Sequence, residues 1–250
     1  MGRHLNLVQS DFEKLEKRVL PRFPFCYLTF KMEEGKLDSG KSRPSNGHVF
    51  EVKDISHSGM QLALKSEESG KAAGEDLAGE IHWLGKSLKV AGKVKWAKEN
   101  RLGVEFANLP KLREEVNQFL NVEHFARSLK PLHREELGLE LPPKLKYWLR
   151  ADGPVEIFVW RHNDGELAKF QILIMENFIE WKDARGIETG RVISKRDIDT
   201  PLISEDEFVF KPDAGIDDEK VEKARKLVSL VEPDFLGADA IDFLLMKLGQ

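Results

Sequence analysis

Cysteine is almost missing from this chain. Cys26 is the single one in 250 residues, so neither an internal disulfide framework nor a multi-cysteine zinc site can be built. No apolar run approaches the roughly 20 residues of a membrane-spanning helix. The opening MGRHLNLVQSDF lacks the apolar core of a secretory signal, so the expectation is a cytoplasmic protein without membrane insertion. His4, His48, His57, His82, His124, His133 and His162 show no paired ligand spacing such as H-x-x-x-H, and no metal site is expected. A large charge excess is missing too. Lys and Arg total 39 against 43 Asp and Glu, a net of −4, which excludes a generally basic coat for nucleic-acid polymers.

What is present suffices for a folded core: 41% of residues are hydrophobic and 33% charged. The length allows one large domain or two ordinary ones. The charge is uneven, with a net of +3 over residues 1–110 and −7 over residues 111–250. A mildly basic half that receives an anion would fit this split.

Ser10 and Glu13 form a capping-box pattern ahead of a short helix with Phe12, Leu15 and Val19 on one face, ended by Pro21. Phe23–Lys31 reads as a strand and residues 33–47 as a polar loop. From Val49 to Phe106 short strands follow closely: HVFEVKDI, GMQLALK, LAGEIHWL, SLKVAGKVKWAK and RLGVEFA. Alternation shows in Leu88, Val90 and in Val94, Trp96, where polar or small residues intervene. Such spacing argues an antiparallel sheet or barrel. Leu112, Val116, Phe119 and Leu120 mark a following helix.

Four prolines between residues 131 and 154 suggest a boundary, with a small helix around Lys144–Leu149. Beyond it, Val155–His162 and Leu167–Met175 are strands joined by Asn163-Asp164-Gly165, a hairpin signal. Phe178–Trp181 and Ile187–Ile193 flank a second turn, and Phe208–Phe210 is a short strand candidate. Two amphipathic helices close the chain, through Val221–Val231 and Ile241–Leu248.

Gly35-Lys-Leu-Asp-Ser-Gly-Lys-Ser42 matches the phosphate-loop pattern letter for letter. The chemistry also needs a helix starting at Lys41-Ser42, so that its N-terminus faces the phosphates. Arg43-Pro44-Ser45-Asn46-Gly47 cannot begin an ordinary long helix, so this reads as a loop between strands. Cys26 lies mid-strand without a dedicated partner and reads as a packed thiol. No nucleophile–base pattern or G-x-S-x-G elbow occurs.

One constellation stands apart. Arg18-Val-Leu-Pro-Arg22 sets two guanidinium groups just before the first strand, and Asp54-Ile-Ser-His-Ser-Gly59 lies between two later strands. Two arginines can fork onto phosphates and onto the O6/N7 edge of guanine. Asp54 and Ser56, two apart at a strand end, project to one side. The carboxylate can accept guanine N1–H and N2–H, the hydroxyl can bond phosphate or orient the carboxylate, and Gly59 suits a tight turn.

Arg18-x-x-x-Arg22 followed by Asp54-x-Ser56-x-x-Gly59, with PRFPF after the first motif and AGKVKWAKENRLGVEF near the sheet's end, resembles the PilZ domain family over about residues 15–125. The resemblance implies an α+β chain whose N-terminal part is a six-stranded antiparallel β-barrel with flanking helices. It also implies a bacterial, non-enzymatic receptor for cyclic di-GMP, with that dinucleotide as ligand and no further cofactor. Arg18 and Arg22 would clamp phosphates and guanine edges, while Asp54, Ser56 and Gly59 form the barrel-side wall. Residues 1–130 are then the receptor domain, and residues 131–250 an unassigned α+β output domain of antiparallel strands and two closing helices. Signalling would follow from ordering of the arginine-bearing entry segment, which repositions the second domain or a downstream protein partner. The alternative is a protein–protein adaptor whose barrel no longer binds nucleotide.

Overall fold

The computed structural model describes residues 23–24, 28–33, 49–56, 58–64, 71–133, 141–193 and 210–249. The expected helix before Pro21, Cys26, the Gly35–Ser42 loop, and both Arg18 and Arg22 lie outside these residues. The described residues divide into two compact units between His124 and Phe125.

The first unit is built from short antiparallel strands: β1 (Phe23–Pro24), β2 (Thr29–Met32), β3 (Val49–Ser56), β4 (Gly59–Ala63), β5 (Asp76–Trp83), β6 (Lys86–Lys98) and β7 (Arg101–Phe106). Six of them run in the order β3-β2-β5-β6-β7-β4, and β4 pairs back onto β3. The ring is therefore closed, which leaves no unpaired edge between these strands. β1 pairs with Ile55 and Asp54 of β3, on the edge that β2 uses further along. β1 and β2 both fall within the strand expected from Phe23 to Lys31, and residues 25–27 between them lie outside the described residues.

The barrel closes because its strands alternate. Phe30, Phe50, Val52, Ile55, Met60, Leu62, Ile81, Leu102 and Val104 are buried to within 1% of complete enclosure, while the residues between them carry the charge. Helix α1 (Pro110–Phe119) starts on a proline, whose missing N–H costs nothing at that position. It buries Leu112, Val116 and Phe119, and the Phe119 ring meets Trp83 edge-on at 5.9 Å. A short helix α2 (Val122–Ala126) carries the chain on to the second unit.

The second unit is a seven-stranded antiparallel meander. Its strands, β8 (Lys130–Pro131), β9 (Leu145–Arg150), β10 (Val155–Arg161), β11 (Leu167–Ile174), β12 (Asn177–Lys182), β13 (Gly186–Val192) and β14 (Phe210–Pro212), neighbour each other in chain order. Three helices follow: α3 (Asp218–Ser229), α4 (Pro233–Leu236) and α5 (Ala238–Leu248). α3 packs on β11 and β12, and α5 packs on β13. Phe243 of α5 meets Trp181 edge-on at 5.2 Å. The opposite face gathers Leu145, Trp148, Phe158, Trp160, Leu173 and Phe178 into one buried cluster.

The helix expected around Lys144–Leu149 is strand β9 instead. Leu145, Trp148 and Leu149 have helical spacing, but the spacing comes from a bulge. Tyr147 pairs with Val159 and Leu145 with Trp160, so Lys146 is an extra residue. That extra residue turns Leu145 and Trp148 to the same face three positions apart.

A polar knot ties α3 to the sheet. Thr189 Oγ1 donates to Asp213 Oδ2 at 2.8 Å and accepts from the Asp217 N–H at 3.0 Å. Lys220 Nζ reaches the same Asp213 oxygen at 2.7 Å and the Gly190 carbonyl at 3.0 Å. Asp217 caps α3 through the amides of Glu219 and Lys220. The Lys220 hydrogen bond, helped by that from Thr189, holds the Asp213 carboxyl below its ordinary value of 3.8. A lowered folded value contributes stability above the ordinary value and loses it as pH falls through the folded one. Asp213→Asn is therefore expected to cost roughly 1 kcal/mol at neutral pH, the pair being partly wetted. Thermal unfolding of both proteins across pH should show that difference shrinking below about pH 4.

Candidate functional site on the outer wall of the barrel

Two bulges decide which side chains face outward. On β3, Val52 pairs with Leu62 and Asp54 with Gln61, leaving Lys53 as the extra residue. Unbulged alternation would put Asp54 on the inner side with Phe50 and Val52. The bulge reverses the phase, so Asp54 and Ser56 lie on the side away from the core while Ile55 remains wholly buried. On β6, Val94 pairs with Val104 and Trp96 with Gly103, leaving Lys95 over. Val94 is 1% exposed and Trp96 is 37% exposed. The apparent alternation of Val94 with Trp96 thus breaks at Lys95, and the indole stands on the outer wall.

Gly103 makes room for it. A Cβ on Gly103 would fall inside the Trp96 indole, so the ring lies flat across this glycine. Gly103 in turn pairs with Gln61, and Gln61 with Asp54. The outer wall therefore carries Asp54, Gln61 and Trp96 in one row across β3, β4, β7 and β6. The Gln61 carboxamide donates to Asp54 Oδ2 at 3.0 Å and accepts from Arg101 Nη1 at 3.2 Å, the orientation that satisfies both neighbours.

Beside this row is the β3–β4 turn. Ser56 is 1% exposed. Its Oγ accepts from the Ser58 N–H at 3.3 Å, donates to the Gly59 carbonyl at 3.2 Å, and stands 3.3 Å from Ser58 Oγ. Ser56 thus ties the turn that carries Asp54. Gly59 has a packing reason of its own, since a Cβ there would collide with the Val104 carbonyl of β7.

Of the five residues singled out from sequence, Asp54, Ser56 and Gly59 come together at this end of β3 and β4. Arg18 and Arg22 lie outside the described residues. The chain resumes at Phe23, directly after Arg22, and Phe23 pairs with Ile55 and Pro24 with Asp54. Trp96, Gln61 and Arg101 were not singled out. Trp96 had one available signal, a tryptophan beside lysines near a glycine-containing strand; Gln61 and Arg101 had none.

The fold and this row define a small closed β-barrel with its polar and aromatic groups grouped on the outer wall. Residues 21–121 match the family model described as the PilZ domain. PilZ domains are binding domains that serve as cyclic di-GMP receptors, and they are not enzymes. The match spans the barrel and α1; no family model matches the C-terminal half. No curated protein matches the chain. Among the described residues no helix is long and apolar enough to cross a membrane.

Proposed function

We propose that this protein is a cyclic di-GMP receptor that binds its ligand on the outer wall around Asp54. The observation that carries the reading is the pairing of β1 with the end of β3. It sets Phe23 and Pro24, the residues that follow Arg22 in the chain, against Ile55 and Asp54, which supports a reading in which the Arg18–Arg22 motif meets the Asp54–Gly59 motif there. In this reading Arg18 and Arg22 take the phosphates and guanine edges. The Asp54 carboxylate accepts guanine N1–H and N2–H. Ser56 and Gly59 shape the turn that presents it. The Trp96 indole offers a flat, half-open face for a purine to stack on.

Signalling follows from neutralisation. Two cations four residues apart repel each other until the ligand's phosphates draw both onto the Asp54 face. Fixing that entry segment shifts the second unit or a protein partner.

Calorimetric titration of the full chain with cyclic di-GMP tests the reading. Micromolar or tighter binding is expected, on the order of −8 kcal/mol, with no comparable heat from cyclic di-AMP. Trp96→Ala should weaken binding by roughly 1–3 kcal/mol, the range for one stacked base. No heat with cyclic di-GMP would remove the receptor assignment.

A further inference from the structure

Arg101 is an exposed cation at the start of β7, and how it is held differs from its neighbours. On the same wall Lys93 pairs with Asp76 at 2.9 Å, Lys95 with Glu105 at 2.8 Å, and Lys53 with Glu51 at 2.8 Å. Among the described residues Arg101 has no carboxylate partner; its guanidinium is held by the Gln61 carboxamide at 3.2 Å. A neutral amide fixes the position of a cation without cancelling its charge. It engages one of five N–H donors and leaves the others for an incoming acceptor. The other end of that amide holds Asp54 Oδ2 at 3.0 Å. One carboxamide therefore sets a carboxylate and a guanidinium side by side on the outer wall.

Resting on the receptor reading above, we propose that Arg101 is a further ligand-contacting residue, positioned by Gln61, that selects guanine over adenine. Guanine carries its N1–H and N2–H donors next to its O6 and N7 acceptors. A base whose donor edge sits on Asp54 turns O6 and N7 along the wall, toward the guanidinium held one amide away. A planar fork of donors matches those two acceptors. Adenine sets an N6 amino group where guanine has O6, so donor would meet donor and the site's charge would go unanswered. Gln61 touches no ligand in this scheme and acts by holding the Arg101 guanidinium, with Asp54 as its own anchor.

The test is a set of titrations with cyclic di-GMP on the full chain, with thermal unfolding to confirm that each variant is folded. Arg101→Ala should weaken binding about tenfold, the effect of losing one charge-assisted contact. Arg101→Lys should recover only part of that loss, because the charge returns without the fork. Gln61→Met should weaken binding in the wild-type background and change nothing further in Arg101→Ala. The Arg101 Nε–Hε resonance should shift on saturation in the wild type and not in Gln61→Met. Wild-type binding with Arg101→Ala unaltered, or an unmoved Arg101 resonance, overturns this proposal and leaves the receptor reading standing. Additive losses from Gln61→Met and Arg101→Ala overturn the positioning role of Gln61. Absence of wild-type binding removes the receptor reading itself, and this proposal with it.

Discussion

Removing Arg22 and Asp54 together should abolish cyclic di-GMP binding at micromolar protein. Each substitution to alanine alone should cost roughly 1.5–3 kcal/mol, the range for a hydrogen bond to a charged group. Asp54 is expected at the upper end. Its carboxylate receives the Gln61 amide at 3.0 Å, and that amide also holds Arg101. Truncating Asp54 removes one contact to guanine and one of the two anchors of the next side chain in the row. Asp54→Asn keeps an acceptor for Gln61 but loses the charge, so it should fall between wild type and alanine. Arg22 should behave as an independent contact, because in the proposal it meets the ligand's phosphates and guanine edges and takes no part in the Asp54–Gln61–Arg101 row. Calorimetry on the two single variants and the double variant reads these differences directly. Tight binding by the double variant would put the site elsewhere on the protein.

The second large effect is on stability. Gly59→Val should destabilise the barrel by roughly 2–3 kcal/mol, the cost of forcing atoms into a close-packed contact. The obstacle is backbone: an added Cβ meets the Val104 carbonyl of β7, and β4 cannot move outward without loosening its pairing with both β3 and β7. Gly59→Ala already carries that Cβ and should lose most of the same stability. Denaturant unfolding monitored on the barrel would check this, and a variant as stable as wild type would mean that the strands can part at no cost. The result also separates two roles for this glycine. A stability loss assigns it to the closure of the barrel, whatever it contributes to the approach of a ligand.

The barrel strands could be read from sequence because turn residues punctuate them and their apolar positions alternate. Val155–Arg161 and Leu167–Ile174 were equally plain, since Asn163-Asp164-Gly165 announces their hairpin. The bulges were not legible. Nothing in the letters around Lys53, Lys95 or Lys146 says that an extra residue is accommodated there, because a bulge is set by the pairing of two distant strands. Two of them misled: Val94 and Trp96 read as one alternating face, and β9 read as a small helix. The turn at Leu84–Gly85 was hidden for a related reason. Leu84 takes a φ of 47°, a conformation that leucine does not advertise, so the residue read as the end of a strand. For the site, Asp54, Ser56 and Gly59 were visible because they form a fixed spacing within one segment. Gln61, Trp96 and Arg101 join them only through the registers of β4, β6 and β7.

The central claim is that the ligand sits on the outer wall at the junction of β1, β3, β4 and β6. Amide hydrogen exchange of the full chain, with and without saturating cyclic di-GMP, tests it most directly. Exchange is expected to slow at residues 18–24, 53–61 and 96–103, with a smaller slowing somewhere in residues 131–250 from coupling of about 1–3 kcal/mol. Binding that leaves those three barrel segments unchanged, or protects only residues 141–193, would contradict the account.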